Sequence, residues 1–254
     1  VWNKKVYLKL KKLNKEAYFI KHPWLFYKEK ILNKKNIEKK RGTLVFYLHS
    51  NSHVKPIYNN LSDYIKKLKK LGDEYQPISI MLSYFDIQKK IHLKLRKLNV
   101  QIVTAGDIES RNFIDKFYSL ITKFKYATSV KSSTTLGSHF FYCVNAGLSY
   151  FFMGGRIKTY NYSSEFSKKK YLKFSDYGDM EDVHKIKKIE KLFSIKKKSI
   201  AKKDFDLVNE FLGMNSNTSR IKIIYVVWKS FFKNIPLCFK IYLNYFFKEK
   251  FKIF

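Results

Sequence analysis

Cysteine is nearly missing: Cys143 and Cys238 each sit inside an apolar run, with no CxxC partner and no histidine at ligand spacing. That excludes a disulfide scaffold and a thiolate zinc site, and leaves two structural thiols suited to a reducing compartment. Arginine is scarce as well. Arg41, Arg96, Arg111, Arg156 and Arg220 stand against 47 lysines. Bidentate recognition of bases and phosphates usually employs the arginine fork, so this ratio weighs against a dedicated nucleic-acid binder. No window of about 18 uninterrupted apolar residues exists to span a bilayer, and no signal peptide opens the chain. No His/Asp/Glu cluster has metal-ligand spacing either. The first residue is Val, from which we expect a start further upstream and a chain forming the C-terminal part of something longer. The expected location is cytoplasmic, peripheral on the inner face of the cell membrane.

What is present is a folded composition with an unusual charge. The 254 residues are 45% hydrophobic and 18% aromatic, enough for a real core. Acidic residues number 20 against 52 Lys and Arg, a formal net charge of +32. Such an excess attracts polyanions and anionic surfaces. With lysine spread over every segment and no RNP-type or zinc motif, an anionic membrane surface ranks above nucleic acid as partner.

The pattern centres on Tyr126–Gly155. A strand-like run, Tyr126–Lys131, leads into the hydroxyl cluster Ser132, Ser133, Thr134 and Thr135. Leu136-Gly137-Ser138 then opens a helix through Asn145 closed by Gly147, and Leu148–Met153 reads as a second strand stopped by Gly154-Gly155. A small-residue turn at a helix N-terminus favours a phosphate, although Ser and Thr also cap helices for purely structural reasons. Earlier in the chain, Thr43–Leu48, Pro77–Tyr84 and Val100–Val103 are apolar runs expected to be strands buried on both faces. Helices are expected over Asn60–Leu71, from an Asp86 cap to about Leu98, and over Ser110–Phe124. The fold class is therefore α/β, a doubly wound parallel sheet with flanking helices, followed by C-terminal helices. We divide the chain into a basic lead-in (1–40), which can be the remnant of an N-terminal domain, a Rossmann-like domain (41–215), and a basic aromatic helical segment (216–254). Thr159–Asp179 reads as a loop. Arg220–Phe254 either packs back as a C-terminal helix or lies in a membrane interface, the first slightly favoured.

In an open α/β sheet, ligands collect where strands end. That edge gathers His49–His53, Ser83–Asp86, Thr104–Asp107, Ser132–Ser138 and Gly154-Gly155. His49 is the first candidate for catalysis, His53 the second and His139 the third, with Asp86 a weaker alternative to its capping role.

With these residues in place, the chain resembles the nucleotide-binding half of a GT-B glycosyltransferase, and more narrowly a group of bacterial surface-polysaccharide proteins. The resemblance rests on RGTLVFYLHSNSH (41–53), YQPISIMLSYFDI (75–87), VTAG (103–106), FIDKFYSLITKFKYATS (113–129) and LGSHFFYCVNAGLSYFFMGG (136–155). It implies that Ser132, Ser133, Thr134, Thr135, Gly137 and Ser138 form a phosphate loop, with Thr104 and Gly106 near the nucleoside. The Ser132-Ser133 pair is similar to the serine motif of bacterial sialyltransferases that use a CMP donor. By resemblance the chain needs no cofactor beyond a nucleotide-sugar co-substrate, linked to CMP, UDP or another nucleotide. It would act without a metal on a glycan or lipid-linked acceptor of capsule or lipopolysaccharide. The other readings are an inactive or partial transferase domain, a sugar-nucleotide epimerase or hydrolase, and a basic nucleic-acid-binding protein. The sparse carboxylates count against the epimerase, which needs acids in its cleft.

Overall fold

The computed structural model describes residues 1–32, 41–46, 54–57, 61–132, 136–161, 170–171, 183–194, 196, 198–233 and 235. In chain order these form α1 (Lys4–Lys12), α2 (Pro23–Leu32), β1 (Thr43–Phe46), β2 (Val54–Ile57) and α3 (Leu61–Lys69). Then follow a 3-10 turn at Asp73–Tyr75, β3 (Ile78–Met81), α4 (Tyr84–Gln88), α5 (Ile91–Arg96), β4 (Gln101–Val103), α6 (Phe113–Ile121) and β5 (Tyr126–Ser132). The rest comprises α7 (Ser138–Asn145), β6 (Ser149–Asn161), β7 (Lys170–Tyr171), α8 (Val183–Leu192), α9 (Lys202–Phe211) and α10 (220–233). The chain divides into two compact units, Pro23–Leu212 and a second made of Val1–His22 with Gly213–Phe254.

In the larger unit five strands run parallel in the order β4-β3-β1-β5-β6. All four residues of β1 are buried, because a central parallel strand is covered on both faces. Val45 packs with Ile65 and Leu68 of α3, Ile80 and Leu95 in one cluster. Leu44 and Phe46 pack with Phe117, Ile121, Phe140 and Val144 of α6 and α7 in the other. Helices that follow β1 and β3 thus cover one face, and those that follow β4 and β5 cover the opposite one. This is a doubly wound parallel sheet, an arrangement compatible with a Rossmann-like fold.

Several local expectations are corrected. The helix expected from Asp86 to Leu98 is two short helices, broken where Lys90 adopts a left-handed conformation (φ 58°). Its cap is Ser83: the Ser83 hydroxyl accepts the Asp86 N–H at 3.2 Å, and Asp86 itself occupies the third helical position. Gly154-Gly155 does not end β6. The ladder with β5 runs from Ser149 to Phe152, skips Met153–Gly155 opposite Val130, and resumes at Lys131↔Arg156. The glycines make a bulge, with Gly154 at φ +94°. Beyond it β6 pairs antiparallel with β2 and β7, so part of the stretch read as a loop is strand. Thirteen residues carry β6 about 43 Å, against about 13 Å for four-residue β1, so it stands well beyond the sheet's carboxyl edge.

The lead-in is also reassigned, because Trp24 and Leu25 are core residues of the α/β unit. Residues 1–22 join the C-terminal segment instead. The Ser216 and Thr218 hydroxyls both donate to the Phe19 carbonyl, at 2.9 and 2.5 Å. Gly213 closes the join: a Cβ there would lie 2.7 Å from the carbonyls of Trp2 and Ile20.

In this unit His22 meets Trp2 edge to face at 4.5 Å, and burial pushes its imidazole down to about 4 from 6.5. The folded state holds His22 neutral while the unfolded chain takes up its proton first. Its contribution is therefore complete above pH 6.5 and is lost as pH falls from 6.5 towards 4. Melting temperatures measured across that window should fall more steeply for the native chain than for His22→Gln. Parallel curves would show that His22 does not couple to folding.

Candidate functional site

Chain direction reverses around β1. It leaves β1 for β3 on one side, and β5 later returns on the other. The helices after β1 and β5 lie on opposite faces, which makes the two strand ends a topological switch point, the place where sheets of this kind open a crevice. Its described wall is the start of α7. Gly137 is the N-cap, in an extended conformation (φ −64°, ψ 143°), and supplies no side-chain cap to the first-turn N–H groups. Those N–H groups and the positive end of the helix dipole favour an anion.

The His139 ring fills the space that a side chain at position 137 would take. It stacks on Phe46, the last residue of β1, with centroids 4.4 Å apart and planes 18° apart. The ring folds back over Gly137 so closely that a Cβ there would sit 2.3 Å from His139 Cε1 and 2.5 Å from Nδ1. Tyr150 of β6 lies beyond, with its ring centroid 6.3 Å from that of His139. His139 thereby ties the N-terminus of α7 to the end of β1. Beneath it, the Tyr150 hydroxyl donates to Ser129 Oγ at 2.7 Å, and Ser129 donates on to the Val130 carbonyl at 3.1 Å. Burial pushes the Tyr150 hydroxyl well above its ordinary pKa, so it stays a proton-bearing donor.

Among the expected site residues, Gly137 and Ser138 lie at this switch point, and Ser132 ends β5, paired with Ile157. Ser138 also bonds the Tyr142 hydroxyl, which opposes the upward push of burial on that group. His49, His53, Ser133, Thr134 and Thr135 lie outside the described residues. Thr104 and Gly106 follow β4, two strands from β1 and hence about 10 Å away. Thr104 Oγ1 accepts the Gly106 N–H at 3.0 Å and Gly106 has φ +86°, a tight polar turn beside the buried Ala105. Asp86 is fully buried and its carboxylate accepts the Ser83 hydroxyl at 2.6 Å, which makes it part of a helix cap. Asp107 accepts the Glu109 N–H at 3.0 Å. Cys143 is buried, and burial raises its thiol pKa well above the ordinary range.

His139 ranked only third in the sequence reading. Its position just after a small-residue turn was visible, but its stack on Phe46 depends on β1 lying beside β5. Among the described residues, no three His, Cys, Asp or Glu side chains gather as a metal ion would require. A cavity of about 520 Å³ lined by Lys125, Ser149, Lys198, Lys202 and Phe205 opens at the amino ends of β5 and β6, away from the switch point. No protein-family model, curated protein or solved structure matches the chain.

Proposed function

We propose that the chain is the nucleotide-sugar-binding part of a GT-B-type glycosyltransferase, acting on a glycan or lipid-linked acceptor in surface-polysaccharide synthesis. The switch-point crevice supports this reading, above all the side-chain-free Gly137 at the head of α7. In glycosyl transfer the acceptor oxygen forms a bond to the anomeric carbon while the bond from that carbon to the donor phosphate breaks. The acceptor's proton passes to a base, and the phosphate leaves with an added negative charge. The N-terminal end of α7 would stabilise that charge. Gly137 and Ser138 allow close approach, and His139 holds the helix start against β1 as a positioning residue. The polar turn at Thr104–Gly106, about 10 Å off, suits the nucleoside. His49 and His53 keep their place as proposed base candidates. An epimerase is less well supported, since Asp86 is committed to the α4 cap and Asp107 to its own turn.

Thermal shift against CMP, UDP, GDP and ADP, with single-stranded RNA as control, tests the proposal. A nucleotide present at 100 times its Kd stabilises by about 2.7 kcal/mol, which raises the melting temperature by several degrees. A response to one nucleotide is expected and would name the donor class. A salt-sensitive response to RNA with none to nucleotides would replace the transferase with a basic nucleic-acid binder. Silence from all five would sink the active-transferase reading.

A further inference from the structure

Helix α10 exposes most of its apolar side chains. Ile221 is 80% exposed, Tyr225 and Phe232 62%, and Trp228 and Phe231 54%, with Ile224, Val227 and Ile235 also exposed. Projected at 100° per residue, these side chains fill one continuous sector about 160° wide. Lys222, Lys229 and Lys233 fall together within about 40° on the far side. The helix is seated on the side opposite this sector. Lys229 Nζ lies 3.1 Å and Lys233 Nζ 3.8 Å from the two oxygens of Glu16, and Ile223 and Val226 are half-buried. Lys229 holds Glu16 below the usual carboxylate range, so the pair stays charged at neutral pH. The apolar sector therefore points outward. Its aromatics form one surface, with Trp228 stacked on Phe232 at 5.6 Å and meeting Phe231 edge to face at 5.9 Å.

We propose that α10 is an in-plane membrane anchor that inserts this sector into an anionic lipid bilayer. Seven large apolar side chains on about four turns of helix, with Ile235 just beyond, far exceed the scattered hydrophobics of an ordinary surface. Tryptophan and tyrosine suit the headgroup boundary, where an apolar ring and a polar tip are both accommodated. The net charge of +32 supplies attraction to anionic headgroups. No helix among the described residues is long and apolar enough to cross a membrane, so the sector serves to lie in the interface. The inference rests on α10 alone and stands or falls separately from the transferase reading.

The full chain is sedimented with vesicles of phosphatidylcholine, and with vesicles of phosphatidylcholine and phosphatidylglycerol at three to one. The comparison chain carries Trp228→Ser and Phe232→Ser, both exposed positions, and its melting temperature is measured alongside. The native chain should pellet with the anionic vesicles, and the double variant should bind at least ten times more weakly with an unchanged melting temperature. Part of the native binding should survive in 0.5 M salt, where lysine attraction is screened. Equal binding by both chains would overturn the proposal in favour of general lysine attraction. A native chain that stays in the supernatant would also overturn it, as would a native dimer that the double variant converts to monomer.

Discussion

Replacing Trp24 with alanine is expected to remove about 3–5 kcal/mol from the stability of the α/β unit, the usual cost of deleting a buried large aromatic. Trp24 is 3% exposed. It stacks on Tyr142 with centroids 4.5 Å apart and meets Phe117 and Tyr118 at 6.1 and 5.7 Å. Its indole N–H donates to Asn145 Oδ1 at 2.9 Å, while Asn145 Nδ2 donates to Asn209 Oδ1 at 2.8 Å. Alanine would leave a cavity and also strip a buried amide oxygen of this donor, and the second loss adds to the first. Urea denaturation of the variant measures the sum. Trp24→Phe restores much of the volume without the donor, so it should cost about 1–3 kcal/mol, the price of the unmade hydrogen bond. A loss below about 1 kcal/mol in Trp24→Ala would show that α2 is not integral to the unit.

Gly137→Val should markedly weaken nucleotide binding while the sheet stays folded. The backbone at Gly137 has φ −64°, which any residue adopts, so the effect is steric. A side chain there collides with the His139 ring, which must leave Phe46 or push α7 away from the crevice. We expect at least a tenfold rise in the Kd of whichever nucleotide gives the thermal shift, about 1.4 kcal/mol or more. Gly137→Ala made alone and in a His139→Ala background separates clash from loop chemistry. If the clash is the cause, the alanine is nearly silent once the ring is gone, with a coupling of about 0.5–3 kcal/mol between the positions. Additive effects would show that Gly137 matters for another reason.

The parallel sheet was legible because its strands are buried on both faces: TLVF at Thr43–Phe46 and ISIM at Ile78–Met81 are apolar or small throughout. The amphipathic helices were equally plain, as with Tyr64, Ile65 and Leu68 on one side of α3. Edges and interruptions were not. The sequence of β2, VKPI, contains a proline, which argues against a central strand but is tolerated at a sheet edge. Gly154-Gly155 reads as a stop, yet glycine also makes the bulge that lets β6 bend and continue. The left-handed turn at Lys90 has no signature in a Lys-Lys pair. The join between residues 1–22 and the C-terminal segment rests on contacts such as Ser216 to Phe19, which no local pattern encodes. At the site, small residues at a helix start were recognisable, whereas the Phe46–His139 stack required knowing which strands are neighbours.

The position of β1 also governs how the chain can be made. Thr43 pairs with Ile78 on one side and with Tyr126 on the other, so the middle strand emerges from synthesis first of the five and stays half-paired until β5 is made. Until β5 appears, the three-stranded sheet β1-β3-β4 carries TLVF as a bare apolar edge, able to pair with any other growing chain. Pairings so distant along the chain form slowly, because loop closure precedes their reward. Fragments that stop before Tyr126 should therefore aggregate, whereas fragments extended through β6 should stay in solution.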